Sequence, residues 1–247
     1  MKLLPPEKER IDDLRRGGQQ LIQNSAAPCF AIDALLLADF CQPKAADRLL
    51  ELGSGTGVVS LLLAAKQPNC QISALELMPQ MADLSRRNVA LNGLERRITV
   101  HEGDIRQADQ LFGKASFDVL VSNPPYYAVG RGRANQDQLF AAARSEQYCT
   151  IDQLAAQAAL LLKPLGSLYL VHRASRLADV LAALLEHNLR PQILRPVQPF
   201  ATKPANLFLL QAVKQGQQES KLLPPLVIYE SEGVYGAEMR AIYGADS

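Results

Sequence analysis

The chain has 247 residues, enough for one α/β domain with a well-buried core and too few for two full domains. Hydrophobic residues make up 48% and charged residues 21%, the values of an ordinary soluble globular protein. A net charge of +1 excludes a broad basic field, so any site for nucleic acid has to be a local patch.

Residues 1–46 read as an N-terminal extension that packs as a lid or substrate wall, ahead of a domain over 47–247. Met1 to Arg16 is dense in charge and carries neither a signal-peptide pattern nor an apolar segment of membrane length, which points to the cytoplasm and to no membrane partner. Arg15 and Arg16 read as solvated charges neutralised by Asp12 and Asp13. From residue 47 onward, apolar runs alternate with longer amphipathic stretches, the pattern of βαβ units and a mostly parallel sheet.

A first strand over 47–53 runs into Gly53, Gly55 and Gly57, which open a helix over 57–67. Glycine lets the backbone approach a ligand, and a helix start presents free N–H groups. The pattern is G-x-G-x-G with no Lys-Ser or Lys-Thr after it, so it is not a phosphate loop. The next strand, 71–76, closes on Glu76, 23 positions after Gly53, where a carboxylate can accept both hydroxyls of a ribose. A helix over 79–92 stops at Asn92-Gly93, and a strand over 97–101 precedes Gly103-Asp104, which also suits an ordinary turn.

The strand over 117–122 leads into Asn123-Pro124-Pro125-Tyr126. An exocyclic or amide nitrogen is a poor nucleophile because its lone pair is delocalised. If the Asn123 side-chain oxygen and the Pro124 carbonyl both accept from that NH₂, the nitrogen is held for attack and its lone pair is less conjugated. The prolines lock the backbone so that both acceptors point one way, and Tyr126 offers a face for stacking a planar base. Asn-Pro also initiates plain turns.

Beyond this tetrad, Gly130 to Gln147 reads as a mobile loop over the site, with Arg131 and Arg133 close enough in the chain to Tyr126 to contact RNA; Arg144 is a further basic residue there. Helices over 151–163 and 175–187 and strands over 166–172, 191–198 and 205–214 complete the pattern, with Lys214 to Ser220 as a polar turn. Cys29, Cys41, Cys70 and Cys149 have no C-x-x-C spacing, and His101, His172 and His187 are scattered, so neither a metal site nor a disulfide framework is expected.

Glycine motif, strand-end Glu76 and Asn-Pro-Pro-Tyr, in this order, resemble the class I S-adenosylmethionine-dependent methyltransferases of the amino-group type. The segment from Cys29 to Phe40, Ala143-Arg144-Ser145-Glu146, Leu161 to Gly166, Lys203-Pro204-Ala205, Gly233-Val234-Tyr235 and Ile242-Tyr243-Gly244 narrow this. Together they are similar to the bacterial tRNA1(Val) (adenine-37-N6)-methyltransferase family, which acts on the adenosine 3′ of the anticodon in valine tRNA. The resemblance implies a Rossmann-like, seven-stranded, mostly parallel sheet with helices on both faces and an antiparallel last strand. It implies S-adenosylmethionine as cofactor, with Phe30, Asp33, Glu51, Gly53, Gly55, Gly57, Glu76, Asp104, Ile105 and Asn123 around it. Glu51 and Gly53 would lie under its methionine end, Glu76 at its ribose and Asp104 at its adenine amino group.

The implied reaction is methyl transfer to N6 of an adenosine in tRNA, with Asn123, Pro124 and Tyr126 at the reacting nitrogen and Pro125, Tyr126, Arg131 and Arg133 at the substrate. The chain departs from the family at Cys29 and Ser145, where an arginine and a histidine are expected, which bears on the nucleotide and leaves the cofactor residues intact. Two other enzymes remain open: a protein-glutamine N5-methyltransferase of release factors, against which the short stretch before Gly53 counts, and a DNA adenine methyltransferase, which needs a further recognition domain. A noncatalytic binding protein has no need of the Asn-Pro-Pro-Tyr geometry. The oligomeric state is left open, a monomer included.

Overall fold

The computed structural model describes residues 6–15, 17–25, 32–124 and 149–244. Ahead of the glycine motif stand a hairpin, β1 (Glu9–Asp13) and β2 (Gln20–Asn24), and a helix, α1 (Ile32–Phe40). The sheet then builds in βαβ steps: β3 (Arg48–Leu52), α2 (Val58–Lys66), β4 (Gln71–Glu76), α3 (Pro79–Leu91) and β5 (Ile98–Glu102). A 3-10 turn, Ile105–Gln107, runs into α4 (Ala108–Phe112), followed by β6 (Phe117–Ser122), α5 (Ile151–Leu161), β7 (Leu162–Arg173), α6 (Leu177–Glu186), β8 (Leu189–Gln198) and β9 (Leu207–Lys214). Four short strands, β10 (Lys221–Leu222), β11 (Leu226–Val227), β12 (Tyr229–Ser231) and β13 (Val234–Tyr235), precede α7 (Ala237–Tyr243).

The strand order is β10-β8-β9-β7-β6-β3-β4-β5, with β11 also paired to β8. Only β9 runs antiparallel to its neighbours; every other pairing in this sheet is parallel. Seven longer strands thus make the expected sheet, and the two-residue strands β10 and β11 extend it beside β8. From β3 the chain winds outward through β4 and β5, then returns to place β6 on the other side of β3. That reversal is the topological switch point, and ligands of open α/β sheets bind at the carboxyl ends of the strands there.

Strands buried on both faces are largely apolar, and β3 and β6 follow this apart from Arg48, Glu51, Asp118 and Ser122. Val119 and Val121 join one core with Leu36, Leu61 and Leu209; Leu120 joins the other with Leu50, Leu154 and Leu184. Each such leucine contributes about 1.5–3 kcal/mol. Lys66 fastens α1 to α2 by donating to Ala38 O (3.4 Å), Cys41 O (2.8 Å) and Asp39 O, the open carbonyls where α1 ends. Arg97 does the same for α2 through Ala64 O (3.0 Å) and Gln67 O (2.7 Å).

Several elements differ from the sequence reading. The hairpin, α1, α4 and α7 were not anticipated, and α1 lies within the core shared with the sheet, its Leu35, Leu36 and Leu37 all buried. The helix expected to reach 163 ends at Leu161, and the strand expected from 166 starts at Leu162, which is already extended (φ −70°, ψ 139°). Lys163 precedes Pro164, whose ring disfavours helical backbone before it. Asp12 pairs with Arg10 (3.1 Å) and Gln23, not Arg15; Asp13 accepts from the Arg15 backbone N–H (2.7 Å), and the Arg15 guanidinium lies 5.4 Å over the Tyr243 ring. No described helix is long and apolar enough to cross a membrane.

Candidate active site

Four adjacent parallel strands, in the order β5-β4-β3-β6, end along one edge of the sheet. Their carboxyl ends deliver Asp104, Glu76, the glycine loop and Asn123-Pro124 side by side, so residues up to 71 positions apart in sequence share one rim. Strand β6 is tied to β3 at this rim by the buried Ser122 hydroxyl, which donates to Leu52 O (2.8 Å).

The glycine loop is shaped by backbone that only glycine adopts without strain: φ is +75° at Gly53, +53° at Gly55 and +79° at Gly57. Gly53 N and Ser54 N donate to Leu75 O (2.9 and 3.0 Å), hanging the loop from the end of β4, and Gly57 N closes a turn onto Ser54 O (2.8 Å). Gly57 is required twice over, because a Cβ there would overlap Ser85 Oγ of α3.

Two buried acids, Glu76 and Glu51, hold the loop and the start of α2. Glu76 accepts from Gly55 N through Oε2 and from Met78 N through Oε1, each at 2.8 Å, and so joins the loop to the start of α3. Beneath it, Glu51 is 3% exposed and accepts from Ser60 N (3.0 Å) and the Ser60 hydroxyl, fixing the first turn of α2. Burial pushes Glu51 up to about 8, against the two Ser60 bonds and aided by the neighbouring Glu76 charge. Burial also raises Glu76, opposed by the amides that it accepts. The loop is thus underlain by two desolvated acids, whose oxygens can hydrogen-bond a ligand bearing hydroxyls.

Asp104 caps the 3-10 turn by accepting from Arg106 N (2.8 Å), and its carboxylate is forked by the Arg106 guanidinium, Nη2 to Oδ2 at 2.5 Å. That pairing holds Asp104 below the ordinary carboxylate range. Ile105 is half-buried next to the loop, its Cδ1 3.8 Å from where a Cβ on Gly53 would stand. Asp33 lies in the first turn of α1, buried, its Oδ1 accepting from Ala34 N (3.1 Å). Phe30, Pro125, Tyr126, Arg131 and Arg133 lie outside the described residues, as do Cys29, Arg16, Arg144, Ser145 and the 130–147 loop.

Sequence reasoning missed Ser60, Ser85, Asn88 and Ser122. Each acts through contacts to backbone, a carboxylate or a glycine, and such contacts leave no periodic mark in a sequence. The only available signal was Asn88 and Asn92 at i, i+4 spacing on α3. Room for a ligand is indicated by Ser54 Oγ and Gln80 Oε1, buried at the loop and at the start of α3 with no hydrogen-bond partner among the described residues. Among the described residues, no group of three or more His, Cys, Asp or Glu could hold a metal ion.

Residues 31–190 match the family model described as the methyltransferase small domain. The tRNA1(Val) (adenine(37)-N6)-methyltransferase of Aeromonas hydrophila is 30% identical over 82% of this chain and 83% of its own. That of Porphyromonas gingivalis W83 is 27% identical over 87% of each. Among solved structures, a predicted O-methyltransferase of Agrobacterium tumefaciens shares the fold with a TM-score of 0.70 at 19% identity, covering 87% of this chain and 97% of that one. The chain therefore belongs to the methyltransferase small domain family, and within it to the tRNA1(Val) (adenine(37)-N6)-methyltransferases for which these relatives are named.

Proposed function

We propose that this methyltransferase transfers a methyl group from S-adenosylmethionine to N6 of adenosine 37 in a valine tRNA, in the cytoplasm. The observation that carries the reading is the placement of Asn123-Pro124 at the end of β6, beside the glycine loop at the end of β3. An amine-positioning pair there faces the same rim as the loop. When bound, S-adenosylmethionine supplies a methyl group made electrophilic by its sulfonium.

The chain's own residues bind, align and exclude water. Gly53 and Gly55 let the ligand approach the backbone, and Ser54 Oγ and Gln80 Oε1 gain the partners that they lack. Glu76 accepts the ribose hydroxyls on lone pairs left over from Gly55 N and Met78 N, since a carboxylate offers about four acceptor sites. Asp104 accepts the adenine amino group once the half-exposed Arg106 guanidinium swings aside. Glu51 acts from beneath, through Ser60, on the loop under the methionine end.

The Asn123 side-chain oxygen and the Pro124 carbonyl accept from N6 of a base splayed out of its stack, and Tyr126 stacks on it. The proton leaves N6 only as the methyl arrives, so no histidine is needed as a prior base. Pro125 shapes the substrate wall together with the N-terminal 46 residues, and Arg131 and Arg133 neutralise phosphates. Tritiated methyl transfer to bulk tRNA, DNA or total protein tests the reading. Label in tRNA adenosine supports it, whereas label confined to protein glutamine or to DNA overturns the substrate.

A further inference from the structure

One stripe of α3 touches the glycine loop at its upper end and the N-terminal hairpin at its lower end. Met81 and Ser85 meet the loop: a Cβ on Gly55 would stand 4.0 Å from Met81 Cε, and one on Gly57 would overlap Ser85 Oγ. Seven residues beyond Ser85, at the C-cap of the helix, Asn92 accepts from Gln20 N (2.9 Å) and donates to Gln20 O (2.7 Å). Between them, Asn88 accepts from Ile22 N (2.6 Å) and donates to Ile22 O (3.2 Å). Gln20 and Ile22 are alternate residues of β2, so the two amides complete its free edge as a neighbouring strand would.

Asn88 does one thing that Asn92 does not. Its Nδ2 also donates to Thr56 O (3.0 Å), the carbonyl between Gly55 and Gly57. Asn88 is fully buried, so no water can replace that donor. A loop with three left-handed glycines has little stiffness of its own and depends on outside fixation for its bound shape. A loop already held in that shape loses less freedom on binding. The hairpin is pinned in turn by Arg87, which pairs with Glu9 at 2.7 and 2.6 Å, and by Ile22 packing against Met81 and Leu84.

We infer that Asn88 is a positioning residue for the cofactor, linking the N-terminal hairpin to the Thr56 carbonyl so that a docked hairpin and a binding-competent glycine loop favour each other. The inference rests on the proposed use of S-adenosylmethionine. Calorimetric titration with that cofactor on the wild type, Asn88→Ala and Asn92→Ala tests it, with melting temperatures recorded alongside. Asn88→Ala is expected to bind about tenfold more weakly, the worth of one buried hydrogen bond. Asn92→Ala, which loosens the hairpin without touching Thr56, is expected to melt lower and to bind within about twofold of wild type.

Wild-type affinity in Asn88→Ala, or an equal loss in Asn92→Ala, overturns the inference alone. No binding by the wild type overturns the cofactor assignment as well. Coupling is reciprocal, so exchange of the Ile22 amide in the wild type is expected to slow at saturating cofactor. Unchanged Ile22 exchange while α2 amides become protected overturns the link even if Asn88→Ala does not fold.

Discussion

Replacing Gly57 with alanine is expected to disable the loop through two costs that the structure separates. The backbone there has φ +79°, and an L-residue in left-handed conformation costs about 1–2 kcal/mol. The added methyl also overlaps Ser85 Oγ and approaches Ser85 Cβ at 3.4 Å, within a closely packed interface where overpacking costs about 1–3 kcal/mol. Together these amount to about 2–5 kcal/mol, a large share of the roughly 5–15 kcal/mol that holds a domain folded. Gly55→Ala carries only the first cost, because its nearest neighbour is the flexible end of Met81 at 4.0 Å. Ser85→Ala separates the two: its hydroxyl has no hydrogen-bond partner among the described residues, so removing it alone is expected to be nearly neutral. In the double variant it is expected to recover about 1–2 kcal/mol of the Gly57→Ala loss. Urea unfolding of the wild type, Gly57→Ala, Ser85→Ala and the double variant measures this cycle, with Gly55→Ala as the comparison. A Gly57→Ala loss below that of Gly55→Ala, or no recovery in the double variant, refutes the packing argument.

Asn123→Ala is expected to keep cofactor affinity while losing methyl transfer by about 10²–10³-fold, comparable to deleting one positioned group from an oxyanion hole; calorimetry paired with a turnover assay checks both halves. Glu76→Ala is expected to weaken S-adenosylmethionine by about 1.5–3 kcal/mol, with Glu76→Gln between, and unchanged affinity in both sinks the ribose role. Glu51 gives a pH dependence of stability. Its folded pKa of about 8 lies above the ordinary 4.5, so between those values the folded protein holds a proton that the unfolded chain has lost. Stability therefore falls as pH rises through that window, by up to about 1.4 kcal/mol per pH unit, and Glu51→Gln is expected to make urea midpoints at pH 5, 7 and 9 more nearly equal.

Much of the rim was legible because its parts sit at strand ends. The runs ending at Leu52, Glu76 and Ser122 are apolar, as buried parallel strands must be, and the residue after each strand is where an open α/β sheet holds its ligand. Helix α1 was not legible for the opposite reason. Ile32 to Phe40 is apolar nearly all round, buried between α2 and the sheet, so it shows no amphipathic period to read. The hairpin escaped because its Gln20, Gln23 and Asn24 look like surface residues, although Gln23 and Asn24 are buried. The downward reach of Glu51 toward Ser60 and the pairing of Asp104 with Arg106 depend on side-chain direction, which spacing alone does not give.

The asparagine stripe on α3 also bears on how this chain keeps to itself. A two-stranded ribbon leaves each strand one unpaired edge, a template on which another chain can add a strand. On β2 that edge is filled by amide groups from Asn88 and Asn92, so the N–H and C=O of Gln20 and Ile22 have nothing left to offer an intruder. Asparagine is a poor helix former, and Asn88 inside the thirteen-residue α3 weakens it, whereas Asn92 stands just past its end as the C-cap. The same residues guard the molecule against strand exchange, and that protection exists only while the hairpin is docked.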